Sequence, residues 1–347
     1  MCQSKAAGGQ RCQYADQLAN VRHKARYKHR DDEYDMEREV DKAVTQWKKE
    51  NPEMVKNHLP ETQLFQTPPK SKPIPSSLKA LLTDKGTTTV TGGDEAYNKA
   101  TTEKAYEDYK SWHENLTREE ENEVVYYSQY GYEMTNAMLR RSGIHDLLRL
   151  NPHRKGDWKE RAVKNKTNLD SALSKVEKPE EPRKLYRYYK VPAGVTPTEF
   201  MEKYFTKGEG FTEKGFMSTS VDPELIMAHL HQESKGKKNA QFIVMEILTK
   251  QGGSLQKRAY SSSSSVQTME KEYVLPRNMK FRIADVRKNQ TFEFGSERKD
   301  LYSSFATSNS IYSKDMFPGQ KLFRPGDKRK FPLIQLVDEQ LIAETSE

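Results

Sequence analysis

Hydrophobic residues change period part-way along this chain, and the change divides it into a helical half and a stranded half. Met36, Val40, Ala43, Val44 and Trp47 fall on one helical face, and Pro52 ends that helix. Pro60, Pro68, Pro69, Pro73 and Pro75 then stand among polar residues, and a Gly/Thr stretch covers 85–93. Together they predict a linker. Helical spacing resumes over 94–115 with Ala96, Ala100, Ala105, Tyr109 and Trp112. Thr117 and Glu120 fit a capping box that opens a second helix through Val124–Tyr127. Gly131 is expected to break it. Residues 136–141 predict a further helical turn, and 168–176 a helix that stops before Pro179.

From residue 184 the pattern is that of strands. Residues 184–191, 215–220, 240–248, 273–275 and 279–286 read as strands, with short helices at 198–204 and 223–231. Phe242, Ile243, Val244 and Ile247 make 240–248 the strongest core strand, and Pro276 closes 273–275. Helices followed by strands predict an α+β fold, not alternating βαβ units. No glycine-rich phosphate loop of either common type occurs, which disfavours a Rossmann or P-loop site.

Composition adjusts this picture only modestly. The chain has 347 residues, 34% hydrophobic and 31% charged, with 58 basic and 50 acidic residues and a formal net charge of +8. That excess favours an acidic partner, such as a nucleotide, nucleic acid or acidic protein surface. No apolar run approaches the roughly 18 residues that would span a bilayer, so no membrane partner is expected. The first residues lack the apolar stretch of a secretory signal. A cytoplasmic location follows as the expectation, with delivery into a host cell by phage or release by an unconventional route as the alternative. Cys2 and Cys12, with His23 and His29, offer a candidate zinc set, but the gap between the cysteines is outside short finger spacing. A flexible basic tail is the default there. The expected organisation is a basic helical appendage (1–59), a linker (60–93), a catalytic domain (94–288) and a basic extension (289–347). Within the last, 332–341 is expected to pack a final strand or helix. Basic residues interleaved with Phe305, Tyr312, Phe317 and Phe323 could contact nucleic acid.

Candidate chemistry lies in three places. Glu270 and Glu272 stand two residues apart at the mouth of a strand, a spacing that points both side chains to one face. Five serines, Ser261 to Ser265, precede them as a loop. Arg187 sits on a strand between Tyr186 and Tyr188, and Ser218, Thr219 and Ser220 close another. Singly, each is an ordinary surface feature. In this order, and on these elements, they resemble the arginine–serine–glutamate class of mono-ADP-ribosyltransferases, over roughly residues 97–288. The likeness extends to Asn136-x-x-Leu139-Arg140 before the core, to Leu169-Asp170-Ser171-Ala172-Leu173, to the Gly-Phe-Met-Ser-Thr-Ser segment at 215–220, and to Glu-Lys-Glu-Tyr-Val-Leu-Pro-Arg at 270–277. Arginine in the first position separates this class from the branch that has histidine there.

The resemblance implies a split β-sandwich NAD-binding core preceded by a helical segment, with NAD as a substrate and no metal. It implies that Arg187 holds phosphate as a bidentate fork, with Ser218, Thr219 and Ser220 at the cofactor. Ser218 would also support Glu272, and Glu272 would stabilise the oxocarbenium-like transition state of nicotinamide–ribose cleavage. Glu270 would select an arginine acceptor on a target protein, such as a host protein, and take its proton. Tyr188-Tyr189 after the arginine, where many members have glycine, and the five-serine loop depart from the pattern and bear on acceptor recognition. Two alternatives stay open at this point: an NAD glycohydrolase with the same site, and an inactive basic nucleic-acid-binding or phage structural protein.

Overall fold

Phe242–Thr249 (β5) is buried at every one of its eight positions. A strand buried so fully needs cover on both faces, and its Leu248 lies in one apolar cluster with Leu78 and Ile342. The computed structural model describes residues 21, 43, 46–47, 49–51, 72–90, 95–140, 157–191, 196–226, 242–257, 271–294 and 326–345. The chain divides into two units, Met1–Gln63 with Val191–Thr196, and Leu64–Lys190 with Pro197–Glu347. In the first, Ala43, Gln46, Trp47, Lys49 and Glu50 are helical, and Asn51 Nδ2 donates to the Trp47 carbonyl at 2.8 Å. Cys2, Cys12, His23 and His29 lie outside the described residues, as do Phe305, Tyr312, Phe317 and Phe323.

The second unit holds all the sheet. Its helices are Ser76–Leu81 (α1), Glu95–His113 (α2), Arg118–Tyr126 (α3), Tyr132–Arg140 (α4), Trp158–Ser174 (α5), Pro197–Tyr204 (α6) and Glu339–Thr345 (α7). The other strands are Thr87–Val90 (β1), Arg183–Lys190 (β2), Gly210–Glu213 (β3), Met217–Ser220 (β4), Gly253–Ser254 (β6), Glu272–Leu275 (β7), Met279–Phe294 (β8) and Lys328–Asp338 (β9). Among the described residues nine strands form one mixed sheet in the order β1-β8-β9-β5-β2-β4-β7-β6, with β3 also paired to β8. Helices come first and most strands later, the α+β order expected. Thr117 caps α3 as read: its hydroxyl accepts from Glu120 N–H, and the Glu120 carboxylate accepts from Thr117 N–H at 2.7 Å.

Three expectations need correction. Gly131 does not break the helix. Tyr127–Gly131 forms a π-helical turn that passes directly into α4. A Cβ at Gly131 would run into the Tyr126 ring, so glycine is there for close packing. Secondly, the sheet reaches back across the linker expected at 60–93. Ile74, Leu78 and Leu82, spaced by four and hidden among prolines, pack with Leu248, Val337 and Ile342. The Glu246 carboxylate holds this segment by accepting from Thr83 N–H at 2.7 Å.

Thirdly, the sheet does not stop at 288. β8 runs on to Phe294, where it pairs with β1, and β9 lies between β8 and β5 at the sheet centre. Leu333, Ile334, Leu336 and Val337 are wholly buried. The basic residues before them masked a core strand. Leu336→Ala should therefore cost about 2–5 kcal/mol of unfolding free energy in a denaturant titration. A cost within about 0.5 kcal/mol, typical of surface positions, would show that β9 is not core.

Candidate active site

Glu272 opens β7, and its cross-strand partner on β4 is Ser220. Ser220 is in turn the one residue of β4 that pairs with β2, through Tyr186. Tyr186, Ser220 and Glu272 thus form a row across three adjacent strands. Arg187 follows Tyr186 on β2, and Ser218 lies two residues back along β4. Beyond the Tyr186–Ser220 pair the β2–β4 ladder is interrupted. Arg187 and Ser218 both lie past that last pair, on neighbouring strands. The fold therefore brings the three sequence candidates to neighbouring strands. Ser218 is exposed, whereas Thr219 and Ser220 are buried. The hydroxyls of those two are engaged in the fold: Thr219 donates to the Tyr273 carbonyl at 2.8 Å, and Ser220 accepts from Asp222 N–H at 3.0 Å. The hydroxyl offered outward is Ser218.

Arg187 is half-buried. Its Nε and Nη1 are shielded from solvent and hydrogen-bond to no described residue. Burial lowers the guanidinium pKa, opposed by Glu213 and assisted by the like charge of Arg140. Glu213 is already engaged. One of its oxygens accepts from Arg140 Nε at 2.9 Å and from Gly215 N–H at 2.7 Å. Arg140 keeps its charge firmly, because that pair outweighs its desolvation. The neighbouring Asn136 bridges two elements: its Oδ1 accepts from Phe216 N–H at 2.9 Å, and its Nδ2 donates to the Tyr127 hydroxyl at 3.0 Å. A Cβ at Gly215 would meet Asn136 Oδ1 at 2.7 Å and Arg140 Nε at 3.0 Å. Glycine is what lets α4 approach β4 so closely.

Tyr127, wholly buried, ties these groups together. Burial pushes its pKa to about 12; its phenol accepts from Asn136 and feels the negative Glu272 and the positive Arg140 and Arg187. Sequence reasoning did not assign Tyr127, Asn136, Arg140 or Glu213 to the site. Asn136-x-x-Leu139-Arg140 was visible as a family segment, but Tyr127 and Glu213 carried no signal.

At the mouth of β7 the alternation premise fails. Lys271 lies outside the strand at φ 41°, so a period of two does not extend back through it to place residues 270 and 272 on one face. Glu270 and Ser261–Ser265 lie outside the described residues. Among the described residues, no group of three or more His, Cys, Asp or Glu could hold a metal ion.

The family model for the ADP-ribosyltransferase exoenzyme matches residues 104–302, more than half of the 347 residues. Among solved structures, the Vis toxin, an ADP-ribosyltransferase from Vibrio splendidus, is 17% identical, over 71% of this chain and 86% of that one, with a TM-score of 0.41. The enzymatic component C2-I of the Clostridium botulinum C2 toxin is 16% identical, over 72% of this chain and 48% of that one, with a TM-score of 0.39. The ADP-ribosylating toxin BECa of a C. perfringens binary enterotoxin, solved with NADH, is 16% identical, over 72% and 50% of the two chains, with a TM-score of 0.42. No match to a curated protein was found.

A guanidinium whose shielded donors are not satisfied weakens the fold that holds it, by about 1–3 kcal/mol per unsatisfied group. Replacing it with an apolar chain of similar length removes that cost. Arg187→Met should accordingly raise the denaturant midpoint at unchanged m-value. A lowered midpoint would show that the guanidinium is satisfied in solution.

Proposed function

This chain belongs to the ADP-ribosyltransferase exoenzyme family, and on that premise we propose that it transfers the ADP-ribose of NAD to arginine side chains of a target protein. The observation that carries the reading is the register of β2, β4 and β7, which sets Arg187, Ser218 and Glu272 on adjacent strands. The unused Nε and Nη1 of Arg187 fit the paired oxygens of a phosphate, which a guanidinium takes as a bidentate fork. NAD is the donor substrate that supplies that phosphate in this family.

In the proposed reaction Arg187 holds the diphosphate of NAD. Ser218, outward on β4, faces the nicotinamide-side ribose and supports Glu272. The nicotinamide–ribose bond breaks with its electron pair leaving on nicotinamide, so positive charge develops at the ribose C1′. The Glu272 carboxylate hydrogen-bonds a ribose hydroxyl and stabilises that charge. An acceptor arginine is protonated and a poor nucleophile. Glu270 pairs with it, orients one nitrogen towards C1′ and takes the proton released as the new carbon–nitrogen bond forms. Burial keeps the Tyr127 phenol protonated, and its hydroxyl proton is left for donation after it accepts from Asn136.

The test is incubation of the full chain with labelled NAD and a cell lysate, followed by mass spectrometry of the modified residue. ADP-ribose on arginine is the expected result. Glu272→Gln should lower both nicotinamide release and protein labelling by about 10²-fold or more, the scale on which a transition-state contact acts. Glu270→Gln should lose arginine labelling while continuing to release nicotinamide. Label on another residue type would overturn the acceptor assignment. Nicotinamide release with no labelled protein would make the enzyme a glycohydrolase, and full transfer by Glu272→Gln would remove that residue from the mechanism.

A further inference from the structure

The lysine between the two glutamates is placed unlike a surface lysine. Lys271 is 1% exposed and Asp222 is fully buried. The Lys271 ammonium lies 3.4 Å from an Asp222 carboxylate oxygen and donates to the Thr101 hydroxyl on α2 at 2.9 Å. The other oxygen of Asp222 accepts from the Glu224 and Leu225 N–H groups at 3.0 and 3.3 Å, while Asp222 N–H donates to Ser220 Oγ. Ser220 is the residue opposite Glu272 in the ladder. A closed path therefore runs from the backbone of β7 through Lys271 and Asp222 to β4, and back across the sheet to Glu272.

The residue after Glu272 is pinned to the same helix. Tyr273 donates its hydroxyl to Asp108 of α2 at 2.7 Å. Asp108 also receives Arg183 of β2 at 2.8 Å. Thr101 and Asp108 are seven residues apart, two turns on one helical face. Both neighbours of Glu272 thus reach α2 with their side chains. Lys271 does so at a left-handed φ of 41°, a backbone state that a residue with a Cβ adopts only when its surroundings hold it there.

We propose that Lys271 is a positioning residue for Glu272: its buried pair with Asp222 and its bond to Thr101 hold the left-handed turn from which the Glu272 carboxylate enters the site. This rests on the ADP-ribosyl transfer proposed above and adds the device that sets the geometry of its central carboxylate. The pair is charged and secluded, so losing either member removes the ionic partner of the other and loosens the turn. Because Glu272 acts in the transition state while Arg187 holds NAD, loosening the turn lowers kcat and leaves the KM for NAD in place.

The experiment compares the full-length wild type with Lys271→Met, Lys271→Gly, Asp222→Asn and the double variant Lys271→Met/Asp222→Asn. Nicotinamide release is measured below the melting temperature of each and normalised to folded protein. Lys271→Met should lower kcat at least tenfold with the KM for NAD within threefold. Lys271→Gly, in which the backbone state is free of Cβ strain, should be lowered as much, assigning the loss to the ammonium. The double variant should be no worse than the poorer single one, the signature of groups acting as a pair. If Lys271→Met does not fold, Thr101→Val removes one bond and no charge, and should still lower kcat severalfold at unchanged KM. A kcat within twofold of wild type in the folded lysine variants, a change confined to KM, or single effects that multiply in the double variant would each overturn the proposal. Wild type that releases no nicotinamide would instead defeat the transferase reading, and the positioning role with it.

Discussion

A half-buried guanidinium with two donors that no described residue takes is the constraint from which the candidate site is read. The carboxylate that most favours its charge, Glu213, is held by Arg140 and the Gly215 N–H, and no other described residue takes the Arg187 Nε and Nη1 donors. The arrangement is tolerable because the neighbouring structure is strong. β2 pairs with β5 along all eight of its residues, and β5 and β9 bring an almost wholly apolar face to the sheet centre. Stability kept in one part of a sheet permits a strained or unsatisfied group in another.

The same logic explains which parts of the molecule were legible in its sequence. β5, β4 and β7 stood out because apolar runs and closing turns are local signals, and the Thr117–Glu120 box announced α3 because a cap is a contact between residues three apart. The segment around α1 was not legible, and of β9 only a final strand or helix over 332–341 was, not its place at the sheet centre. Their apolar residues are few, they lie among prolines or lysines, and they acquire a partner only from strands far along the chain. Leu78 is apolar in a polar neighbourhood until Leu248 and Val337 are folded against it. Gly131 was misread for a related reason: a glycine that admits a neighbouring ring and a glycine that ends a helix look alike in one dimension.

The site divided along similar lines. Arg187, Ser218 and Glu272 could be picked out because their order on strands resembles a known family, and resemblance compresses information that no single residue carries. The groups around them could not. Tyr127 looks like any core tyrosine, and Glu213 like any strand carboxylate. Their relation to the site depends on the π-helical turn and on the close approach that Gly215 permits. Thr219 and Ser220 show what a motif leaves unsaid. A motif names three adjacent hydroxyls, but a strand that pairs on both sides cannot present them all outward. Two of them are engaged in tying β4 to β7 and to the turn at Asp222.

The mouth of β7 shows why a motif understates its own middle residue. A lysine between two glutamates reads as charge balance on a solvated edge, and an alternating strand would have put it on the face opposite to theirs. Its left-handed backbone cancels that alternation, and its ammonium faces Asp222 and Thr101 in place of water. Burying a charge in this way gains little for stability in itself. What it gains is definition: an ion pair with hydrogen bonds on both partners tolerates few alternative geometries. On this view the family's carboxylate strand has a chemical residue that faces the site and neighbours that face the scaffold. In this chain α2 is the scaffold against which the position of Glu272 is set.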